Sequence, residues 1–223
     1  MSREKLNIVF TTTFFQPYAQ DFNSSFHFVG PSIYPRTETY EYLKTLSPKK
    51  KLIYISYGTV VNDDLSFFKM CIDAFKNSPY QVIISLGNRH DASVFSDIPK
   101  NIIIKKYVNQ LAVLEKADVF ITHGGMNGIS ESLYYGVPMV MIPDTFEQRY
   151  NVLRVKQSGA GIYLKKVKVT KERLLHAVER VLTEKHFSLS AKKMQENLKK
   201  GGGYQEAADL IEKYMMSSKN RML

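Results

Sequence analysis

The 223-residue sequence predicts an α/β domain with a doubly wound parallel sheet. From residue 51 onward, short β-branched runs alternate with longer amphipathic segments, the pattern of a parallel sheet covered by helices. Two of the strand-like runs end in small-residue turns, Gly58-Thr59 and His123-Gly124-Gly125, at the carboxyl ends where ligands of open α/β sheets collect.

The elements follow in order. KLIYISYG (51–58) reads as a buried strand, and DDLSFFKMCIDAFKNS (63–78) as a helix with apolar positions at three- and four-residue spacing. The pair repeats: YQVIISLG (80–87) and NIIIKKYV (101–108) are strands, NQLAVLEKA (109–117) a short helix and DVFITH (118–123) a strand. MNGISESLYYG (126–136) is a helix closed by Gly136, and VPMVMIP (137–143) a strand. FEQRYNVLRVKQSG (146–159) is a helix and AGIYL (160–164) a strand. A further helix starts near Thr170, whose hydroxyl caps it, and the tail is helical with a break at Gly201 to Gly203.

Residues 1–35 fit this alternation poorly. LNIVFT (6–11) and FHFVG (26–30) are strand candidates joined by the aromatic-rich FFQPYAQDFNSS. The boundary is expected within 31–39, dividing the chain into 1–35 and 36–223. A lone leading strand leaves an apolar edge that invites association, so a missing neighbour, a partner or self-association through this orphan strand is expected.

Composition narrows the function classes. With 44% hydrophobic and 23% charged residues the chain can build a core and carries few signs of disorder. Its one cysteine, Cys71, forms no intramolecular disulfide, the N-terminus lacks an apolar leader, and no window is long and apolar enough for a membrane span, so a cytoplasmic protein is expected. The formal charge of +10 invites a nucleic-acid reading. Yet the lysines and arginines are scattered, and neither zinc-ligand spacing nor a recognition-helix or aromatic RNA-binding signature accompanies them. They read as solvated faces, and no nucleic-acid partner is expected.

The stretch FITHGGMNGISESLYYGVPMVMIP (120–143) carries the chemistry. The first backbone N–H groups of a helix lack intrahelical acceptors and carry the positive end of its dipole, so a strand-to-helix turn is a natural anion site. Glycines allow close approach, and the amides of Gly125 to Gly128 would face a phosphate, with His123 adding a side-chain hydrogen bond. Glu131 lies further along the helix, where its carboxylate could accept from ribose hydroxyls. A tight turn with an ordinary histidine explains the same residues. Neither G-x-G-x-x-G after a strand nor G-x-x-x-x-G-K-[ST] is present, which argues against a standard dinucleotide oxidoreductase or a P-loop enzyme.

The segments FVGPSI, ISYGTV, KKYVNQLAVLEKADVFITHGGMNGISESLYYGVPMVMIP and FEQRYNVLRVKQSGAGIYL together resemble the twin-Rossmann (GT-B) nucleotide-sugar glycosyltransferases, in particular the bacterial macrolide-type UDP-glycosyltransferases. The resemblance covers nearly the whole chain and is to the C-terminal, donor-binding half, plus the last strand of the first half. It implies that Tyr107 stacks on uracil, where tryptophan is common, with the Val108 backbone and Gln110 nearby; many members have proline where Asn109 stands. It also implies that His123, Gly125, Asn127 and Gly128 hold the diphosphate with the Gly58-Thr59 turn, whose Thr59 adds a hydroxyl. Glu131 would take the ribose and Glu147 and Gln148 the sugar, although those two are also an ordinary helix start.

The implied reaction is inverting transfer of a hexose, glucose being the family default, from UDP to a hydroxyl of a small acceptor. It needs no further cofactor, and no metal-ligand cluster is evident. The family keeps its catalytic histidine in the N-terminal half, so no catalytic residue is expected in this chain, and His27, His90, His176 and His186 offer no substitute. Transfer would then require an acceptor domain or subunit. A donor subunit of a two-chain enzyme and a non-enzymatic or decayed nucleotide-sugar binding module are the alternatives.

Overall fold

The computed structural model describes residues 4–34, 40–58 and 64–219, with side chains to residue 217. Two short strands come first, β1 (Asn7–Val9) and β2 (Phe26–Phe28), followed by the single-turn helix α1 (Glu41–Lys44). Then β3 (Leu52–Ser56), α2 (Leu65–Phe75), β4 (Gln81–Ser85), β5 (Ile102–Lys105), α3 (Gln110–Leu114), β6 (Val119–Thr122), α4 (Met126–Tyr134), β7 (Met139–Met141), α5 (Phe146–Gln157) and β8 (Gly161–Tyr163) alternate. Three helices close the chain: α6 (Lys171–Thr183), α7 (Lys185–Lys199) and α8 (Gly203–Lys219).

The six strands β3 to β8 form one parallel sheet in the order β5-β4-β3-β6-β7-β8. Strand side chains alternate between faces. Ile53, Ile55, Val82, Ile84, Val119 and Ile121 therefore pack against α2 and α6, and Leu52, Tyr54, Ile83, Phe120, Met139 and Met141 against α3, α4, α5 and α7. Both faces are buried, which explains why the strands read as nearly continuous apolar runs. Helix ends fall where the sequence marks them: Thr170 accepts from Arg173 N, and Gly136, at φ +69°, ends α4 with its N–H on the Leu133 carbonyl.

Two expectations are corrected. The predicted strand at 101–108 ends at Lys105, because Lys105, Lys106 and Tyr107 are exposed and the chain turns toward α3. The leading strand is not an orphan: β1 pairs in parallel with β2, Asn7 opposite Phe26 and Val9 opposite Phe28, in a two-stranded sheet separate from the large one. The parallel pairing needs a crossover, and the aromatic stretch between the strands supplies it. The pair is docked rather than free. Phe15 is buried in the core on the α5 and α7 face, Arg154 donates to the Phe14 and Phe15 carbonyls, and Gly203 N donates to the Val29 carbonyl. Of the boundary expected within 31–39, residues 35–39 lie outside the described residues. Among those described, no helix is long and apolar enough to cross a membrane.

Phe75 of α2 is fully buried against the isoleucines of the central strands. Phe75→Ala is expected to lower unfolding free energy by about 3–5 kcal/mol in urea titrations. Leu189→Ala, at a position 64% exposed, should stay within about 0.5 kcal/mol.

Candidate functional site

Strands β3 and β6 are neighbours, but the chain leaves β3 toward α2 on one face and leaves β6 toward α4 on the other. The divergence opens a cleft of about 390 Å³ at their carboxyl ends, the usual ligand position in such sheets. Its wall includes Gly58 from the end of β3, Gln110 from α3, His123 from the end of β6, Gly125, Asn127 and Gly128 from the start of α4, and Asp144 and Gln148 from the β7–α5 connection.

The turn into α4 is built by glycine. Gly124 has φ +84°, a conformation that side chains rarely adopt, and a Cβ there would lie 2.3 Å from Val152 Cγ2. Gly125 is the N-cap and offers no side-chain acceptor, so the amides of Met126, Asn127 and Gly128 lack intrahelical partners and look toward the cleft. Gly128 is different, since a Cβ there would find only ordinary contacts, 3.5 Å from Phe120 Cε1. Alanine would fit the protein and favour the helix by roughly 0.5–1 kcal/mol, so the missing methyl serves the cleft.

The imidazole of His123 is wedged between two glycines. A Cβ on Gly58 would come within 2.8 Å of its Cε1, and one on Gly125 within 2.6 Å of its Nε2. Its Nδ1 is buried and has no hydrogen-bond partner among the described residues. Burial lowers the pKa below the usual histidine value, and Asp144 and Glu147 only partly oppose this. The ring is therefore neutral at pH 7. An unpartnered buried polar atom costs on the order of 1–3 kcal/mol.

Gln110 and Glu131 form a second polar element. Tyr54 is buried and stacked on Phe120 with ring centroids 4.8 Å apart; its hydroxyl donates to Gln110 Oε1 at 2.9 Å. The Gln110 amide is thereby turned to donate to the Glu131 carboxylate. Asn109 caps α3, its Oδ1 accepting from Ala112 N and its Nδ2 donating to the Tyr40 hydroxyl. Cap chemistry thus accounts for asparagine at this position.

The sequence-predicted residues fall into groups. Gly58, Gln110, His123, Gly125, Asn127, Gly128 and Gln148 line the cleft, and Glu131 is tied to it through Gln110. Val108, in the β5–α3 loop, is buried, while Tyr107 beside it is 64% exposed, its ring free to stack. Glu147 is exposed and accepts from Asn151 Nδ2, outside the cleft wall. Gln148 is buried, and its Oε1 accepts from the Asp144 and Thr145 amides in a capping box with Thr145. Thr59 lies outside the described residues. Sequence reading missed Tyr57, whose hydroxyl donates to the Ile142 carbonyl and whose ring meets His123, and Asp144, which pairs with Lys166. Tyr57 read as one more strand residue; Asp144, next to the motif proline, was visible but had no partner in the sequence.

A family model described as "UDP-glucoronosyl and UDP-glucosyl transferase" matches residues 9–197. The chain belongs to this transferase family. A relative in Bacillus subtilis (strain 168), NDP-glycosyltransferase YjiC, is 44% identical over 215 residues, covering 96% of this chain and 55% of the relative. The solved glycotransferase of kitacinnamycin is similar with TM-score 0.84 and 33% identity over 94% of this chain and 54% of that one. CalG4, the calicheamicin glycosyltransferase, gives TM-score 0.87 and 29% identity over 97% and 55%. The fold is thus that of about half of a GT-B glycosyltransferase, and the chain spans about half the length of the transferases it matches.

Neutral burial of His123 has a pH signature. With its folded pKa below the ordinary 6.5, the unfolded chain binds more protons between the two values, so stability rises with pH there. The loss begins as pH falls through about 6.5 and is complete once the folded imidazole also protonates. Urea titrations from pH 5 to 8 should show a shallower slope for His123→Gln than for the parent, and equal slopes would show that His123 is not held neutral.

Proposed function

We propose that the cleft binds the nucleoside diphosphate of a UDP-sugar, and that the chain is the donor-binding half of an inverting glycosyltransferase moving a hexose to a hydroxyl of a small-molecule acceptor. The observation that carries this reading is the meeting, in one cleft, of the uncapped α4 amides and the imidazole of His123. Both are hydrogen-bonding groups left over by the fold. A diphosphate supplies acceptors for the amides and favours the positive end of the helix.

In this proposal Gly125, Asn127 and Gly128 present the amides, Gly58 keeps the opposite wall low, and Thr59 adds a hydroxyl. Glu131, oriented by Gln110, accepts from the ribose hydroxyls, and the exposed ring of Tyr107 stacks on the base beside the Val108 backbone. Gln148, and Glu147 after a rotation of its side chain, contact the sugar, taken as glucose. UDP-sugar is the co-substrate, and the proposal requires no further cofactor. The acceptor hydroxyl gives its proton to a base on an acceptor domain or subunit, its oxygen bonds to the anomeric carbon from the opposite side, and the sugar–phosphate bond breaks with its electron pair leaving on UDP. The α4 amides stabilise the charge growing on that leaving group. Family membership and the half-length match support the need for an acceptor half.

Calorimetric titration of the chain with UDP and UDP-glucose, with NAD as control, tests the reading. Uridine ligands should bind and NAD should not, and His123→Ala or Glu131→Ala should each weaken UDP by about 10- to 150-fold, the range for one hydrogen bond to a charged group. Selective NAD binding, or variants that bind like the parent, would overturn it. Uridine binding without sugar transfer in the presence of any acceptor half would leave a binding module instead of an enzyme half.

A further inference from the structure

The family description names two kinds of donor, one with a neutral sugar and one with a sugar carboxylate, and the β7 side of the cleft carries a charge arrangement that separates them. Asp144 lines the cleft where β7 gives way to α5. Lys166 Nζ donates to its Oδ2 at 2.9 Å and lies 2.8 Å from its Oδ1. The same ammonium lies 3.3 Å from Asp64 Oδ2 and 5.5 Å above the centroid of the Tyr57 ring. Two carboxylates thus share one cation, and the cluster keeps a net charge of about −1.

The carboxylate is fixed in place. The Asp144 backbone amide donates to Gln148 Oε1 at 2.8 Å, within the capping box of α5. Asp64 caps α2 by accepting from Phe67 N, and Lys166 opens the turn after β8. Three connections at the carboxyl edge of the sheet are cross-linked through this one lysine. On the donor-site reading, with the base at Tyr107 after β5 and the diphosphate at the start of α4 after β6, the sugar falls on the β7 side, toward Asp144.

Resting on the donor-site reading above, we propose that Asp144, held by Lys166, is a specificity-determining residue that accepts hydrogen bonds from a neutral hydroxylated sugar and rejects a donor whose sugar bears a carboxylate. Hydroxyl donors satisfy the lone pairs that Lys166 leaves open. A uronate would set a second anion against a carboxylate whose counter-ion Lys166 is already shared with Asp64, and such like-charge juxtaposition is the repulsive half of specificity.

The test is the ratio of dissociation constants for UDP-glucuronate and UDP-glucose, measured by calorimetry on the full chain, on Asp144→Asn and on Lys166→Met, with UDP as the sugar-free reference. The ratio cancels general effects of charge on diphosphate affinity. The parent should prefer UDP-glucose by about tenfold or more; Asp144→Asn should shrink that preference by about tenfold, and Lys166→Met, which leaves both carboxylates uncompensated, should widen it. Should one variant fail to fold, the other reads the same ratio with the opposite sign. A ratio unchanged in the folded variants overturns the inference while UDP binding keeps the donor site, and absence of UDP binding by the parent overturns both.

Discussion

The cleft exists because two adjacent parallel strands, β3 and β6, send their chains to opposite faces of the sheet. No helix can then cover the gap between their carboxyl ends, and the backbone there is left with amides that secondary structure does not use. Other features of the site answer this constraint. Gly58 and Gly124, both with positive φ, turn the chain out of its strand within a residue or two, and Gly125 begins α4 without a capping side chain. A serine or aspartate cap would be worth about 1 kcal/mol to the helix. Its absence leaves the amides available.

The walls of the cleft are rigid because they are extensions of the core. Phe120 and Tyr54 are stacked beneath it, and the Tyr54 hydroxyl sets the orientation of Gln110, which in turn holds Glu131. On the far side, one capping box both starts α5 and holds the Asp144 amide. Positioning of this kind, by groups that are themselves packed or hydrogen-bonded, lets a site act without reorganising when charge develops. The neutral state of His123 belongs to the same design: a buried imidazole with glycine on both sides has room for a ring but little solvent to support a charge.

The N-terminal segment shows how a piece of structure outside the main sheet is retained. Among the described residues, strands β1 and β2 have only each other as sheet partners, and a two-stranded pair is marginal in water. Phe15 in the core, Arg154 on the Phe14 and Phe15 carbonyls, and the glycine-rich joint before α8 against Val29 and Gly30 fasten it to the domain. At the joint, Gly201 has no room for a side chain, since a Cβ would lie 2.6 Å from the Val29 carbonyl oxygen. Three consecutive glycines that read as a break in a helical tail are therefore also a packing surface.

The sequence alone determined the fold class and pointed to the turn that borders the candidate cleft. Alternation of β-branched runs with amphipathic helices is a local property, and so is the conformational freedom of the glycines after β6; neither needs a distant partner to be recognised. Helix starts at Thr170 and Asn109, and the stop at Gly136, were legible or explicable for the same reason. Only the tertiary structure decided what depends on residues far apart in the chain. The pairing of β1 with β2, the wedging of His123 between Gly58 and Gly125, the relay from Tyr54 through Gln110 to Glu131, and the sharing of Lys166 between Asp64 and Asp144 join positions up to about a hundred residues apart. A carboxylate carries no mark in sequence of the cation it will meet, so Asp144 became visible as a cleft residue only when three connections met at the sheet edge.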